Sequence, residues 1–375
     1  MRPPAAMNPS ARCSSPTIHG TFVDAPLRVV LHEGESGHAN FEYDLPTSRF
    51  GHFGDERITE VERELTMKAL VVGAGSVGGY FGGRLASAGR EVTFLVRPRR
   101  ATQLAGKLTI SSQGQETVVP IRLITAGEAA GEFDVVLLAV KAYQLDDAIE
   151  DFASYVSEAT IILPVLNGMK HMDALRSRFG AGHVLGGVAR IATTLDERGR
   201  ILEQANFHDL AYGEWSGERS ARIVALDQFM RGAGFDARLS TDIEREMWEK
   251  WAMLASLGAI TCLMDGDIGQ VARAPGGIDF VQALFGEVAA VIARAWRPLS
   301  DSFKSQVLSF LSDRASRITS SMYRDMKAGL RIEADQIVGD VVSRGAAAGV
   351  VTPLLSTVLV RLRVYEQAQG AKSSR

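Results

Sequence analysis

The spacing of apolar residues along this chain changes near residue 242. Before that point, short apolar runs bounded by glycine, proline or polar residues predict strands that alternate with helices. Beyond it, apolar residues recur every three to four positions, which predicts helices alone. The predicted strands lie at 67–72, 91–96, within 107–125, and at 133–140, 160–166, 183–194, 201–212 and 236–240. The predicted helices lie at 142–156, 219–231, 243–263, 278–295, 302–312, 332–348 and 354–367.

A glycine-rich turn follows the first predicted strand and precedes a helix-compatible segment. Gly73 permits a tight turn, Gly75 lets the backbone approach a pyrophosphate, and Gly78 lets the helix pack closely on the sheet. The start of that helix also offers free N–H groups to phosphates. The pattern predicts a dinucleotide-binding turn formed by Gly73, Ala74, Gly75, Ser76, Val77 and Gly78.

The second strand of this unit ends in arginines where an acid that holds a ribose 2′-hydroxyl is expected. Arg97, Arg99 and Arg100 stand there instead. Guanidinium groups suit a 2′-phosphate by charge and by bidentate geometry, so the sequence favours NADP (NADPH) over NAD. A solvated basic loop is the alternative interpretation.

The order of elements predicts an α/β protein with an N-terminal Rossmann-type doubly wound sheet and an all-α-helical C-terminal domain. We place the nucleotide-binding domain at 67–241, the helical substrate and catalytic domain at 242–368, and a tail at 369–375. Residues 1–66 show no sustained periodicity, although 27–31 is apolar enough for one short strand. A disordered tail or a start codon assigned upstream of Met67 would explain this segment. A metal-binding or partner-binding arm is the alternative, built on His19, His32, His38 and His52.

Composition narrows the classes of function. A net charge of −3 gives no electrostatic case for a nucleic-acid or membrane partner. The chain has two cysteines, Cys13 and Cys262, which argues against a disulfide framework and a cysteine-based metal site. The apolar run at 251–264 is shorter than the roughly 20 residues that a membrane span needs. We therefore expect a cytoplasmic protein that binds a small-molecule substrate and no metal. The sequence leaves open whether the protein forms a homodimer.

Two predicted strands present polar side chains at their carboxyl ends. Lys141 follows the strand at 133–140, and Asn167 follows the strand at 160–166. Open α/β sheets bind their ligands at this edge, so the ammonium and the amide are expected to face one crevice.

A third candidate, Lys250, lies on the first helix of the second part, between two tryptophans in sequence. Burial among apolar neighbours would lower its pKa, and such an ammonium can protonate an alkoxide as a hydride reaches the carbonyl carbon. A surface lysine paired with Glu246 or Glu249 is the structural alternative. His171, His183 and His208 are interpreted as ordinary surface or core residues.

Residues 67 to about 368 resemble the ketopantoate reductase family (2-dehydropantoate 2-reductases), which reduces a 2-keto acid with NADPH. The features that carry the resemblance occur in one order along the chain: the glycine turn, Arg97, Val140 to Ala142, Asn167 to Met169, Trp248 to Lys250, Ser320 to Met322, Asp325 and Glu333. The resemblance implies that Arg97 contacts the 2′-phosphate. It also implies that Lys141 and Asn167 line the junction of nicotinamide and substrate, and that Lys250 is the general acid. Ser321 would bind the substrate carboxylate, and Glu333 would accept a hydrogen bond from the substrate hydroxyl.

One departure from the family concerns the helix of Lys250. The family usually carries asparagine four residues beyond the lysine, and often four beyond that, where this chain has Leu254 and Gly258. Steps of four share a helix face, so we expect a cleft that is less polar and, at Gly258, roomier. Such a cleft suits a different or bulkier keto acid better than ketopantoate.

The sequence thus predicts NADPH-dependent reduction of a 2-keto acid to a 2-hydroxy acid. The substrate would be ketopantoate, in pantothenate biosynthesis, or a less polar analogue. Two alternatives stay open: a related hydroxy-acid dehydrogenase, and a catalytically idle NADP-binding module that senses redox state and docks a partner through its first segment.

Overall fold

The structure is a computed structural model that describes residues 29–33, 39–43 and 67–373, with side chains from 67 to 370. Strands β1 (Val29–Glu33) and β2 (Ala39–Tyr43) pair antiparallel and belong to a separate compact unit. β1 overlaps the predicted strand at 27–31, whereas β2 is not among the predicted strands. His19, His38 and His52 lie outside the described residues, so the three interpretations of 1–66 stay predictions.

A five-stranded parallel sheet forms the centre of the nucleotide-binding region. Its strands are β3 (Lys68–Val72), β4 (Glu91–Leu95), β7 (Arg122–Ile124), β8 (Val135–Leu138) and β9 (Ile161–Pro164), in the spatial order β7-β4-β3-β8-β9. The chain builds one half of the sheet outward from β3 and then returns to build the other half. Sheets of this kind bind ligands where the order reverses, at the carboxyl ends of the strands. The helices of this layer are α1 (Ser76–Ser87), α2 (Pro98–Leu104), α3 (Leu145–Phe152) and α4 (Lys170–Phe179).

A second, mixed sheet packs on the other side of α1. It contains β5 (Lys107–Ser112), β6 (Gln115–Pro120), β10 (Gly186–Leu195), β11 (Ile201–Gly213) and β12 (Asp236–Leu239), and α5 (Ala221–Met230) precedes β12. A Cβ on Gly82 would lie 2.7 Å from Phe94 of the parallel sheet, and one on Gly79 would lie 2.7 Å from Ile201 of the mixed sheet. The extra glycines of α1 therefore let one helix fit between two sheets.

The C-terminal region is helical, as the spacing of its apolar residues predicts. Its helices are α6 (Ile243–Met264), α7 (Ile268–Arg273), α8 (Gly277–Ala295), α9 (Asp301–Leu311), α10 (Ser321–Lys327), α11 (Asp340–Ala347) and α12 (Pro353–Ser373). The predicted fold class is confirmed. The helix predicted at 332–348 is observed as helical backbone from 334 to 347, except that Asp335–Gly339 forms a π-helical turn directly before α11. The sequence analysis does not predict α7 and α10.

Helix α6 joins the two regions. One continuous apolar core runs from Leu70 and Val136 of the parallel sheet, through Trp251 of α6, to Val288 of α8. The boundary at residues 241 and 242 stays a prediction, although α6 begins next to it. Within the described residues, no helix combines the length and apolar character needed to cross a membrane.

Candidate functional site

The glycine turn connects β3 directly to α1. Gly73 has a φ of 96°, in the left-handed region that favours glycine, and its amide donates to the carbonyl oxygen of Leu95 at 3.1 Å. A Cβ on Gly78 would collide with the carbonyl oxygen of Gly73 and would lie 2.8 Å from the Cβ of Ala139. The first turn of α1 therefore packs against the strand end only because residue 78 is glycine.

The N-terminus of α1 is suited to an anion. Gly75 is the N-cap residue, no side chain caps the helix, and its first turn contains no acidic residue. A Cβ on Gly75 would meet no atom within 4 Å, so there is space beside this backbone. Unpaired N–H groups and the positive end of the helix dipole stabilise phosphates in such positions. These residues therefore fit a dinucleotide pyrophosphate.

A pocket of about 210 Å³ lies beside the turn. Its lining includes Gly73, Gly75, Leu95, Arg97, Arg100, Val140, Gln144, Asp151 and Leu195. Arg97 Nη2 pairs with Asp147 Oδ2 at 2.8 Å, and both side chains are more than half exposed. Arg97, from the arginine cluster at the end of the second strand, therefore lies at the wall of the pocket and has an exposed carboxylate as its partner.

Arg100 has a different role from Arg97. Its Nε donates to the carbonyl oxygen of Ala74 at 3.0 Å, and its Nη2 donates to that of Gly199 at 3.1 Å. These bonds fasten the glycine turn to α2 and to the loop before β11. Arg100 therefore stabilises the turn, and the basic segment is not simply a solvated loop.

Lys141 follows β8, and its ammonium lies between two carboxylates of the helical region. Nζ is 3.0 Å from Asp325 Oδ2 and 3.4 Å from Glu333 Oε2, while the other oxygen of Glu333 accepts the amide of Ala142 at 3.0 Å. Burial alone would lower the pKa of Lys141, but attraction to Glu333 and Asp325 outweighs it and raises that pKa. Lys141 is thus a fixed cation. Asp325 belongs to the sequence pattern, but sequence reasoning assigned it no role.

Lys250 is half-buried on α6 and has no ion-pair or hydrogen-bond partner among the described residues. Burial, reinforced by the charge of Arg190, lowers the pKa of Lys250 to about 8, against the attraction of Glu333 and Asp209. The predicted structural alternative fails for Glu246, which binds Arg238 and Arg190 instead.

Asn167 follows β9, and a buried amide holds its backbone. Gln336 Nε2 donates to the carbonyl oxygen of Asn167 at 2.9 Å and lies 3.1 Å from Nδ1 of His171. Gly168 has a φ of 86°, and a Cβ there would lie 2.8 Å from the carbonyl oxygen of Gln336. The strand end and the π-helical turn are therefore in close contact.

His171 is fully buried, in the first turn of α4. Burial and then the charge of Lys250 lower its pKa to about 3, so the imidazole is neutral at physiological pH. Because Gln336 donates to Nδ1, the proton is assigned to Nε2, which has no partner within the described residues. The interpretation of His171 as an ordinary residue missed this proximity to Lys250, although its place four residues after Asn167 was a signal.

Two neighbouring serines at the start of α10 differ in their burial and in their contacts. Ser320 is buried, and its Oγ accepts the amide of Tyr323 at 2.9 Å as the helix cap. Ser321 is exposed and lies one turn before Asp325, on the same helix face. Its predicted role as a ligand of the substrate carboxylate stays a prediction.

The expectation of extra room at Gly258 is wrong. Gly258 is buried, and a Cβ there would lie 2.9 Å from the terminal methyl carbon of Met322, which occupies the space. Leu254 is half-buried and places an apolar side chain one turn beyond Lys250. Relative to the family pattern, this helix face therefore lacks a polar side chain at residue 254, but it gains no free space at residue 258.

These residues have the chemistry for proton transfer and for binding a dinucleotide. Lys250 offers a proton from a half-buried ammonium, Lys141 supplies a fixed positive charge, and the glycine turn with Arg97 fits a phosphorylated cofactor. Among the described residues, no group of three or more His, Cys, Asp or Glu side chains is arranged to hold a metal ion.

Two family models match the chain: ketopantoate reductase PanE/ApbA over residues 69–217, and ketopantoate reductase PanE/ApbA C terminal over residues 242–366. The protein named uncharacterized oxidoreductase YkpB, from Bacillus subtilis, is 37% identical over 302 residues, covering 80% of this chain and 99% of that protein.

Solved structures have the same fold. The crystal structure of 2-dehydropantoate 2-reductase from Geobacter metallireducens matches with a TM-score of 0.71 and 25% identity, covering 79% of this chain and 99% of that one. The ternary structure of D-mandelate dehydrogenase with NADH and anilino(oxo)acetate matches with a TM-score of 0.73. It is 21% identical, covering 81% of this chain and 100% of that one, which is a likeness of fold alone.

Proposed function

The chain belongs to the ketopantoate reductase family, and from this premise we propose that it reduces a 2-keto acid to a 2-hydroxy acid with NADPH. The observation that carries the proposal is Lys250, a half-buried ammonium without a partner among the described residues and with a pKa lowered to about 8. A general acid works best when its pKa lies near the operating pH.

The proposed reaction gives a role to each residue of the candidate site. The glycine turn binds the pyrophosphate, and Arg97 binds the 2′-phosphate. When bound, NADPH supplies the hydride. Lys250 Nζ passes its proton to the substrate oxygen, and Ser321 holds the substrate carboxylate. Glu333 accepts a hydrogen bond from the hydroxyl that forms.

Lys141 and Asn167 position the reacting groups in this proposal. The bonds from Lys141 to Asp325 and Glu333 fix its ammonium at the end of β8. The bond from Gln336 fixes the backbone of Asn167 at the end of β9. Groups held in place before the substrate arrives lower the barrier by fixing orientation.

Substitution of the lysine tests the chemical step. Lys250→Met should lower kcat for NADPH oxidation by at least about 10²-fold, because general acid catalysis contributes on that scale. The nucleotide Kd should change much less. Unchanged turnover would remove Lys250 from the mechanism.

A substrate panel tests the substrate class. We propose that Leu254 favours a keto acid less polar than ketopantoate, because an apolar side chain stands where the family carries asparagine. NADPH oxidation across ketopantoate and a graded series of 2-keto acids should rank an apolar member first. Ketopantoate at the top would show that the missing asparagine matters little.

The same assay separates the rival functions. With NADP⁺ and hydroxy acids added to the panel, a related hydroxy-acid dehydrogenase would reduce NADP⁺ with a 2-hydroxy or 3-hydroxy acid faster than it oxidises NADPH with any 2-keto acid. A redox-sensing module would bind NADPH and turn over no keto acid. Equal affinity for NADPH and NADH would contradict the proposed role of Arg97.

A further inference from the structure

The partner of Arg97 is the feature from which this inference starts. Arg97 is the N-cap residue of α2, directly after β4, and Asp147 lies in the first turn of α3. Arg97 Nη2 and Asp147 Oδ2 are 2.8 Å apart. Two other residues of α3, Ala148 and Asp151, line the same pocket as Arg97. The ion pair therefore stands at the rim of the pocket that fits the nucleotide.

The charges of this pair act in opposite directions on a phosphate. A phosphate monoester carries a charge of about −1.5 to −2 at neutral pH, so it is attracted by Arg97 and repelled by Asp147. Binding to the phosphate also requires Arg97 to give up its bond to Asp147. A ribose 2′-hydroxyl is neutral and can donate to a carboxylate, so neither effect acts against it.

The solvent exposure of the two side chains limits the strength of the ion pair. The side chains of Arg97 and Asp147 are 54% and 74% exposed, and an exposed ion pair is worth about fivefold in an equilibrium constant at most. The pair is thus weak enough for a phosphate to break, yet its carboxylate remains close to whatever Arg97 binds.

We propose that Asp147 is a cofactor-specificity residue: as the counterion of Arg97 it weakens binding of a 2′-phosphate and spares a 2′-hydroxyl. The chain then discriminates between NADPH and NADH less than Arg97 alone would allow. This inference rests on the proposed function, in which the cofactor binds at the glycine turn.

The neighbouring acid Asp146 provides a matched control. It lies in the same first turn of α3 and is exposed, and the structure shows no ion pair for it among the described residues. Asp146→Asn and Asp147→Asn change the net charge equally and at adjacent positions. A difference between the two variants therefore reports the pair with Arg97 rather than the overall charge.

The test measures the Kd of NADPH and of NADH for the wild type and both variants by titration of the full chain at low and physiological salt. Asp147→Asn should tighten NADPH about three- to fivefold and leave NADH unchanged or weaker, with a smaller gain at higher salt. Asp146→Asn should change both constants less than twofold. In the Arg97→Ala background, Asp147→Asn should lose most of its gain for NADPH.

Four results would overturn the inference. Equal effects of Asp146→Asn and Asp147→Asn on the NADPH Kd would show that net charge, and not the ion pair, weakens binding. Equal tightening of NADPH and NADH by Asp147→Asn would show that Asp147 does not affect cofactor specificity. A wild type that binds neither nucleotide would overturn the proposed function together with the inference. A wild type that binds NADPH, with no response to Asp147→Asn, would overturn the inference alone.

Discussion

The ammonium of Lys250 should make the folded protein less stable than it could be, and Lys250→Met should reveal this. Each pKa unit corresponds to about 1.4 kcal/mol. Lowering the pKa of Lys250 from 10.5 to about 8 therefore costs the folded state up to about 3 kcal/mol at neutral pH. Methionine has a similar length and no charge, so the variant should gain about 1–3 kcal/mol in the free energy of unfolding at pH 7.

The pH dependence identifies the cause of that gain. The pKa of Lys250 is lower in the folded state than in the unfolded chain, so the unfolded chain holds more protons between about pH 8 and 10.5. The free energy of unfolding of the wild type therefore rises relative to that of the variant across this window. The gap between these two free energies narrows by about 2–3 kcal/mol. Below about pH 8 the gap is at its full size, because the lysine is charged in both states.

Urea denaturation of both proteins, followed by tryptophan fluorescence at pH 7 and pH 10.5, measures the gap. Lys107→Met removes an exposed lysine at the start of β5 and serves as the control for the loss of a lysine side chain as such. A variant at Lys250 that is less stable than the wild type at pH 7, or a gap that does not change with pH, would refute the reasoning.

Further predictions concern the glycines. Gly78→Ala should destabilise the fold by about 2 kcal/mol or more and weaken NADPH binding, because its Cβ would collide with the carbonyl oxygen of Gly73. Gly286→Ala, in a helix with open space around the new Cβ, should instead raise stability by up to about 1 kcal/mol in the same urea titration. Gly258→Asn should cost up to about 1 kcal/mol through its Cβ, since that atom would displace only the flexible methyl end of Met322. Met322→Ala in that variant should recover part of the loss, and strictly additive costs would contradict this steric account.

Much of the fold could be predicted because the local pattern and the tertiary structure agree. The strand, glycine turn and helix at 67–87 are encoded by consecutive residues, and α6 shows its apolar period over 22 residues. Helices α7 and α10 have only six and seven residues, too few to establish a period. The π-helical turn before α11 keeps its apolar residues buried and so resembles an ordinary helix in the sequence.

The parts of the candidate site that sequence reasoning missed depend on neighbours far along the chain. Met322 fills the space beside Gly258 from 64 positions away, and no spacing rule relates the two. The burial of His171 beside Lys250 likewise depends on tertiary packing, and its place four residues after Asn167 was the one signal for it in the sequence. Asp325 becomes a partner of Lys141 across 184 residues.

The hydrogen bonds between the strand ends and the helical region have a consequence for ligand binding. Glu333 binds the ammonium of Lys141 and the amide of Ala142, and Gln336 donates to the carbonyl oxygen of Asn167. The backbone segments that would hold cofactor and substrate are thus joined by contacts within the protein itself. The entropy of bringing them together is lost during folding rather than at each turnover, which leaves more of the substrate's binding energy for orientation of the reacting atoms.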